Sequence, residues 1–356
     1  MWIAKKWKGA TEIMSKKARN LFALCIAFAM LITTLVYKST ASAATVLGGD
    51  NRYDTALKIV QAGWITSDSV IIARGDDLSD ALASAPLAYV KDKAPILLTK
   101  TDAIPDGVLD ELVRLGATKV TIVGGTGAIS EAVEADLKAT GVTVERLSGA
   151  NRFATSLAIA KEAFKAAPTH VVIANGLASA DALSISAIAA NKGMPILLVN
   201  NKTGLSVEQK AYIAGSTVYA VGGTAVLSEA IVESATTTLS EEVPATATRL
   251  SGDNRYETNA AILDEFTPDY SKVFLAKGTN ANLVDALVGS AFAALDGNPI
   301  VLVDANSTII PSLRGILKNK LTSESTGVLL GGTVSQSAVD VFEDLKPIPL
   351  KVLSIK

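Results

Sequence analysis

Cysteine and histidine are nearly absent from this chain of 356 residues, which has one of each, Cys25 and His170. A single copy of each residue excludes an internal disulfide, a cluster of thiolate ligands and a multi-histidine zinc site. Aromatic residues make up 5% of the chain and charged residues 19%, whereas 49% are apolar. We therefore expect a globular protein with substantial cores, no metal and no cofactor.

The first 43 residues differ in kind from the rest. Six basic side chains between Lys5 and Arg19 precede the apolar run "LFALCIAFAMLITTLVY", and "ASA" follows just before Ala44. This order is typical of a secretory signal peptide, so we expect cleavage after Ala43 and only a transient stay of the leader in the membrane. The alternative is an uncleaved anchor, because a run this short is at the lower limit for crossing a bilayer.

Removal of the leader would also remove Cys25 and leave 26 basic and 34 acidic side chains, a net charge of −8. A mature chain without thiols excludes a cysteine nucleophile. No run of basic residues marks a nucleic-acid surface, and the acidic balance argues against diffuse binding to nucleic acid.

The same motifs then recur three times in one order. The series begins with "LGGDNRYDT", "LSGANRFAT" and "LSGDNRYET", whose asparagines Asn51, Asn151 and Asn254 are 100 and 103 residues apart. "DALASAPLA", "DALSISAIA" and "DALVGSAFA" follow, then "PILLT", "PILLV" and "PIVLV", and finally "VGGTGAIS", "VGGTAVLS" and "LGGTVSQS". A period of about one hundred residues predicts three copies of one structural unit.

Each unit alternates short β-branched runs with segments of helical periodicity, a pattern typical of a parallel sheet covered on both faces. In the first unit we predict a helix over 80–90. The sequence predicts an α/β fold of three Rossmann-like modules, each with its own core. The predicted divisions are the leader at 1–43 and repeats at 44–143, 144–246 and 247–356, with "TTTLSEEVPATAT" as a linker-like insertion.

The Asn-Arg pair that opens each unit stands just before a helical segment. Asparagine is a favoured N-cap, so the three asparagines are predicted to be structural. An arginine in the first helical turn opposes the helix dipole, and something should offset that cost. One interpretation is an ion pair, within or between modules, with the aspartate of the second motif; the other is that the guanidinium also meets an anionic ligand. The residues concerned are Arg52, Arg152, Arg255, Asp80, Asp181 and Asp285.

The glycine-rich loops match neither the P-loop nor the dinucleotide fingerprint, because the required lysine and third glycine are missing. We interpret them as tight turns, with Ser130 as the N-cap of the next helix. The "PILL" strands are predicted to be buried. No serine elbow or multi-histidine set is present, so we expect no enzyme activity.

Together these motifs resemble the type 2 cell-wall-binding repeat family of Gram-positive, especially clostridial, surface proteins. The resemblance covers essentially residues 44–346 and implies three Rossmann-like (Toprim-like) modules arranged as a pseudo-threefold trimer within a monomer. It also implies non-catalytic anchoring at the cell surface through an anionic secondary wall polysaccharide. Family members usually carry an appended enzyme or adhesin, and we expect none in this chain.

The resemblance transfers a set of residues that would contact the polymer or the neighbouring module. The third copy departs from the pattern at Val301 and in "LGGTVSQS", so its contact with ligand is less well supported. Two alternatives to an anchor stay open: a peptidoglycan hydrolase (amidase) or its modifier, and a nucleotide-binding protein that uses the glycine turns. The transferred residues are the six arginines and aspartates above together with Ile96, Leu97, Leu98, Ile196, Leu197, Leu198 and the strand 300–302.

Overall fold

The computed structural model describes residues 44–236 and 246–348. The predicted leader and most of the predicted linker lie outside these ranges. The described residues form one compact unit. No helix in the described ranges is both long enough and apolar enough to cross a membrane.

Strands and helices alternate along the described chain. The strands are β1 Thr45–Leu47, β2 Ser69–Arg74, β3 Ile96–Thr99, β4 Lys119–Val123, β5 Thr143–Leu147, β6 His170–Asn175, β7 Ile196–Val199, β8 Thr217–Val221, β9 Ala247–Leu250, β10 Lys272–Lys277, β11 Ile300–Val303 and β12 Thr326–Leu330. The helices are α1 Arg52–Gly63, α2 Ser84–Val90, α3 Val108–Leu115, α4 Glu131–Ala139, α5 Arg152–Ala163, α6 Ser179–Asn191, α7 Val207–Tyr212, α8 Glu229–Thr236, α9 Arg255–Glu265, α10 Leu283–Leu295, α11 Pro311–Lys320 and α12 Gln336–Leu345.

The described strands form three parallel four-stranded sheets, which confirms the predicted fold class. The strand orders are β3-β2-β4-β5, β7-β6-β8-β9 and β11-β10-β12-β1. The third sheet is completed by the first described strand: Thr45 pairs with Val328 and Leu47 with Leu330. The triplet is therefore closed on itself, because the start of the first repeat supplies an edge of the third sheet.

The predicted divisions between repeats fall at the last strands of the first two sheets. The division at 143/144 falls inside β5, which pairs with β4, and the division at 246/247 falls directly before β9, which pairs with β8. Each final strand then leads directly into the helix that opens the next repeat.

Three helices, α2, α6 and α10, pack against one another at the centre. Nearly every side chain of α6 and α10 is buried, and both helices are rich in alanine, whose small side chain allows close approach. Around them one continuous hydrophobic cluster includes residues of all three modules, such as Leu82, Leu183 and Leu287. A second hydrophobic cluster, which includes Leu157 and Ile173, lies entirely within the second module. The expectation of a core for each module therefore holds only in part, because the central helices of all three modules share the larger cluster.

The helix predicted over 80–90 begins only at Ser84. Pro86 is its third residue, a position at which the missing N–H costs nothing. An earlier start would place the proline deeper in the helix, where it could not donate to Leu82 and its ring would clash. Asp80 therefore lies in a turn, whereas Asp181 and Asp285 lie in the first turns of α6 and α10.

Candidate functional site

The Asn-Arg motif forms the same helix start in all three modules. The side-chain oxygen of Asn51 accepts from the backbone N–H groups of Tyr53 at 2.8 Å and Asp54 at 3.1 Å. Asn151 and Asn254 make the equivalent pairs of bonds. The predicted N-caps are therefore confirmed, and they fix the position from which each arginine projects.

Each motif arginine donates to a backbone carbonyl at the end of a strand in its own module. Arg52 Nη1 reaches the Gly75 oxygen at 2.6 Å, and Arg152 Nη1 reaches the Gly176 oxygen at 2.9 Å. Arg255 Nη1 donates to Gly278 at 2.6 Å. A charged hydrogen bond of this kind offsets the unfavourable position of the arginine in the helix dipole.

The aspartates that these arginines face belong to the neighbouring module. Burial raises the pKa of Asp181 to about 6, and the positive charge of Arg255 acts in the opposite direction. Burial likewise raises the pKa of Asp285 to about 6, with Arg52 opposing it. The α1, α5 and α9 helices pack on α10, α2 and α6 respectively, so each arginine lies at a module junction.

The direct ion pair that was one interpretation of the motif is not formed within the described ranges: the ion pairs closer than 4.0 Å include no motif arginine. At the first junction Arg152 instead acts on Asp77. Burial works to raise the pKa of Asp77, but hydrogen bonds from Ser79 and the charge of Arg152 lower it overall. The guanidinium groups stop short of the aspartates because each is held by its strand-end carbonyl.

The motif aspartate lies against the first glycine of the glycine-rich turn in its own module. Gly124 and Gly222 have φ values of 115° and 117°, which disfavour other residues. A Cβ added at Gly124 would lie 3.1 Å from Asp80 Oδ2, and one at Gly222 would lie 2.9 Å from Asp181 Oδ2. A carboxylate in this position would repel phosphate, in agreement with the interpretation of these loops as turns.

The third glycine-rich turn is shorter than the sequence alignment implied. Its helix begins at Gln336, so Ser335, and not Ser337, takes the place of Ser130. Val334 is buried where Ile129 is buried in the first module, and the apolar loop end is thus retained. The facing loop before Asp285 is correspondingly longer, and Asn282 Nδ2 donates across to Thr333 Oγ1 at 3.1 Å.

Ser130 accepts a hydrogen bond from the backbone of Val133, which confirms it as a cap. The three "PILL" strands are buried in the sheets, as the sequence predicts, with exposures of 0 to 1%. They do not line the central cavity described below, although β3 and β11 contact the neighbouring modules through α10 and α6. Direct contact with a polymer is not open to these strands in this conformation.

Sequence reasoning missed two positions of the repeated site. The threonine that ends the first motif accepts from a backbone N–H six residues earlier, as in Gly49 to Thr55 at 3.0 Å. The glycine after β2, β6 and β10 leaves room for the aromatic ring of the motif: a Cβ at Gly75 would lie 2.7 Å from Tyr53. Both positions could have been found from the sequence, because the same residues recur at equivalent places in all three copies.

A central cavity of about 640 Å³ opens where the three modules meet. Its walls come from the loops after β2, β6 and β10 and include Arg52, Asp181 and Arg255. Among the described residues, no group of three or more histidine, cysteine, aspartate or glutamate side chains is placed to hold a metal ion.

The architecture defines a class: a triplicated α/β protein whose repeated motif residues meet at module junctions. Residues 46–134, 146–232 and 249–339 match the family described as Cell wall binding domain 2 (CWB2). The chain belongs to this family. It therefore binds a component of the cell wall and acts at the wall or cell surface.

Known relatives agree with this assignment. The chain is 32% identical over 294 residues to N-acetylmuramoyl-L-alanine amidase LytC of Bacillus subtilis (strain 168), covering 82% of this chain and 56% of the relative. It is 30% identical over 311 residues to the Amidase enhancer of the same organism, covering 86% of this chain and 41% of the relative. The chain thus spans about half the length of these relatives.

Two solved structures from Clostridium difficile have the same fold. Cwp8 matches with a TM-score of 0.78 at 30% identity, covering 90% of this chain and 54% of that one. Cwp6 matches with a TM-score of 0.77 at 31% identity, covering 85% and 48%. The predicted family and the arrangement of three modules are confirmed.

Proposed function

We propose that the protein, exported by its predicted leader, is a non-catalytic anchor that binds an anionic secondary wall polymer at its three module junctions. The observation that carries the proposal is the threefold repetition of a half-exposed arginine, held by a carbonyl bond and directed toward the neighbouring module. Arginine has five N–H donors, and the carbonyl bond uses only part of that capacity. The remaining donors suit phosphate or carboxylate oxygens on a polymer.

The overall charge works against an anionic ligand, because the chain after the predicted leader has a net charge of −8. Long-range attraction is therefore absent, and the contact must depend on local geometry at the junctions. Close contacts that are partly shielded from solvent are screened less by salt than surface contacts. We accordingly expect wall binding to survive moderate salt.

The test is sedimentation of the chain from residue 44 onward with purified cell walls, compared with walls whose phosphodiester-linked polymers have been removed with hydrofluoric acid. We expect binding to intact walls only. The Arg152→Ala variant should bind less. Arg314→Ala serves as a matched control, because Arg314 also bonds a backbone carbonyl at 2.6 Å but lies on α11, which is not one of the six helices that form the junctions. Equal binding to extracted walls would refute the proposal.

The second candidate, a peptidoglycan hydrolase or a modifier of one, draws support from the two Bacillus subtilis relatives, one an amidase and the other an amidase enhancer. A zymogram separates the two functions, because a lytic band from the purified chain would show catalysis. Mixing the chain with an amidase tests for modification, and an unchanged rate of lysis is the expected result.

A further inference from the structure

The central cavity differs chemically from a phosphate site. Four aspartates, Asp76, Asp77, Asp181 and Asp253, face two arginines in its walls. Both arginines already donate to carbonyl oxygens, and of these aspartates only Asp76 forms an ion pair with a cation, Arg74, at 2.6 Å. An anion placed here would therefore meet more negative than positive charge.

Asp181 is the unusual member of this set. Its side chain lines the cavity and is only 7% exposed. Within the described ranges its carboxylate takes part in no hydrogen bond and no ion pair, and the only attraction acting on it is the field of Arg255. A buried carboxylate without donors is costly, so its position fits a site where a ligand supplies them.

The rest of the wall combines apolar and polar groups. Leu177 projects into solvent at the cavity with 69% of its surface exposed, and Leu78 lies on the opposite loop. Ser79 and Asn280 add polar groups: the Ser79 hydroxyl donates to Asp77 and its oxygen can accept, while Asn280 Oδ1 accepts from Arg255 and its amide N–H groups can donate. The volume lies within the roughly 300–1,000 Å³ typical of small-ligand sites. Hydroxyl groups that both donate and accept, on a ring with an apolar face, match this wall.

We propose that the central cavity binds one uncharged pyranose unit, with Asp181 accepting hydrogen bonds from its hydroxyl groups. This inference rests on the proposed function, because the sugar would be a neutral unit of the wall polymer. The inference also specifies one such site per chain and not three. Asp80 and Asp285, the equivalents of Asp181 in the other two modules, do not line the cavity. Charged groups of the polymer would lie outside the cavity, toward the junctions.

The test uses the chain from residue 44 onward and saturation-transfer NMR with four uncharged probes: methyl glucoside, methyl mannoside, methyl galactoside and N-acetylglucosamine. We expect at least one to receive magnetisation, and inorganic phosphate not to compete with it. Asp181→Asn should weaken binding about tenfold, the loss of roughly one charged hydrogen bond. Leu177→Ala should also weaken it, and this exposed position leaves folding intact. Asp340→Asn is the control, since Asp340 is exposed on α12.

The results separate this inference from the proposed function. If none of the four sugars binds while the chain still sediments with walls, the cavity assignment is overturned and the anchor stands. If a sugar binds to the chain but the chain does not sediment with walls, the proposed function as an anchor is wrong. Competition by phosphate, or an equal loss in Asp285→Asn, would overturn a single neutral site.

Discussion

Replacement of Asp285 by asparagine should stabilise the protein near neutral pH. The pKa of this carboxyl is raised from 3.8 to about 6 by burial, although Arg52 opposes the shift. Between these two pH values the folded state binds more protons than the unfolded state, so the stability of the parent falls as pH rises through this window. Below it both states are protonated and the penalty is absent.

The magnitude follows from the shift. About two pKa units correspond to about 3 kcal/mol at pH 7, which is an upper limit for one group. Asparagine has nearly the shape of the protonated acid, so Asp285→Asn should recover up to that amount. In a chain of this size the gain corresponds to a rise in Tm of at most about 5 °C. Asp181→Asn should behave in the same way, because burial also raises the pKa of Asp181 to about 6.

The assay is thermal unfolding followed by circular dichroism from about pH 4 to about pH 7.5. The quantity that matters is the difference between variant and parent, because other carboxylates, such as Glu134, have lowered pKa values and lose their contribution in acid. We expect a difference near zero at pH 4 that grows until about pH 7. Asp80→Asn is the control: Asp80 is half-exposed in its turn and should show little change. A variant of Asp285 that is less stable at neutral pH would refute the reasoning.

Three further predictions test the architecture. Leu47→Ala should lower the free energy of unfolding by about 2–4 kcal/mol. Because β1 pairs with β12, hydrogen exchange should accelerate more in β12 than in β4. Faster exchange confined to the first sheet would contradict this prediction. Gly331→Ala should lower Tm, since its Cβ would lie 2.1 Å from a carboxylate oxygen, whereas Gly315→Ala meets open space on a helix and should be neutral or stabilising. Lys91→Met should lower the free energy of unfolding, measured with urea, by about 1 kcal/mol, because Lys91 bonds Glu162 across the first junction at 2.8 Å. The loss should be smaller at high salt.

Local features of the fold could be predicted from the sequence because neighbouring residues determine them. The asparagine caps, the buried "PILL" strands and the cap at Ser130 each depend on a few positions along the chain. The late start of α2 also has a local cause, since Pro86 is visible in the sequence.

The partners of the motif residues could not be predicted in the same way. Whether Arg52 faces Asp80 or Asp285 depends on how the modules pack, and no local pattern encodes that choice. The position of β1 is similar: a strand of three residues, with Val46 more than half exposed, carries too little periodicity to indicate its sheet. Only the completed packing shows that the first repeat opens with a strand of the third sheet.

This closure also bears on whether a single repeat could fold alone. A fragment cut at 144–246 would keep most of β5, whose partner β4 lies in the preceding repeat, and would lack β9, the edge strand of its own sheet. Its helix α6, buried on nearly all sides in the triplet, would expose its faces toward α2 and α10. Exposing that apolar surface removes much of the burial that stabilises a domain of about one hundred residues. We therefore expect that an isolated repeat does not fold stably, and that ligand contacts at the junctions exist only in the complete triplet.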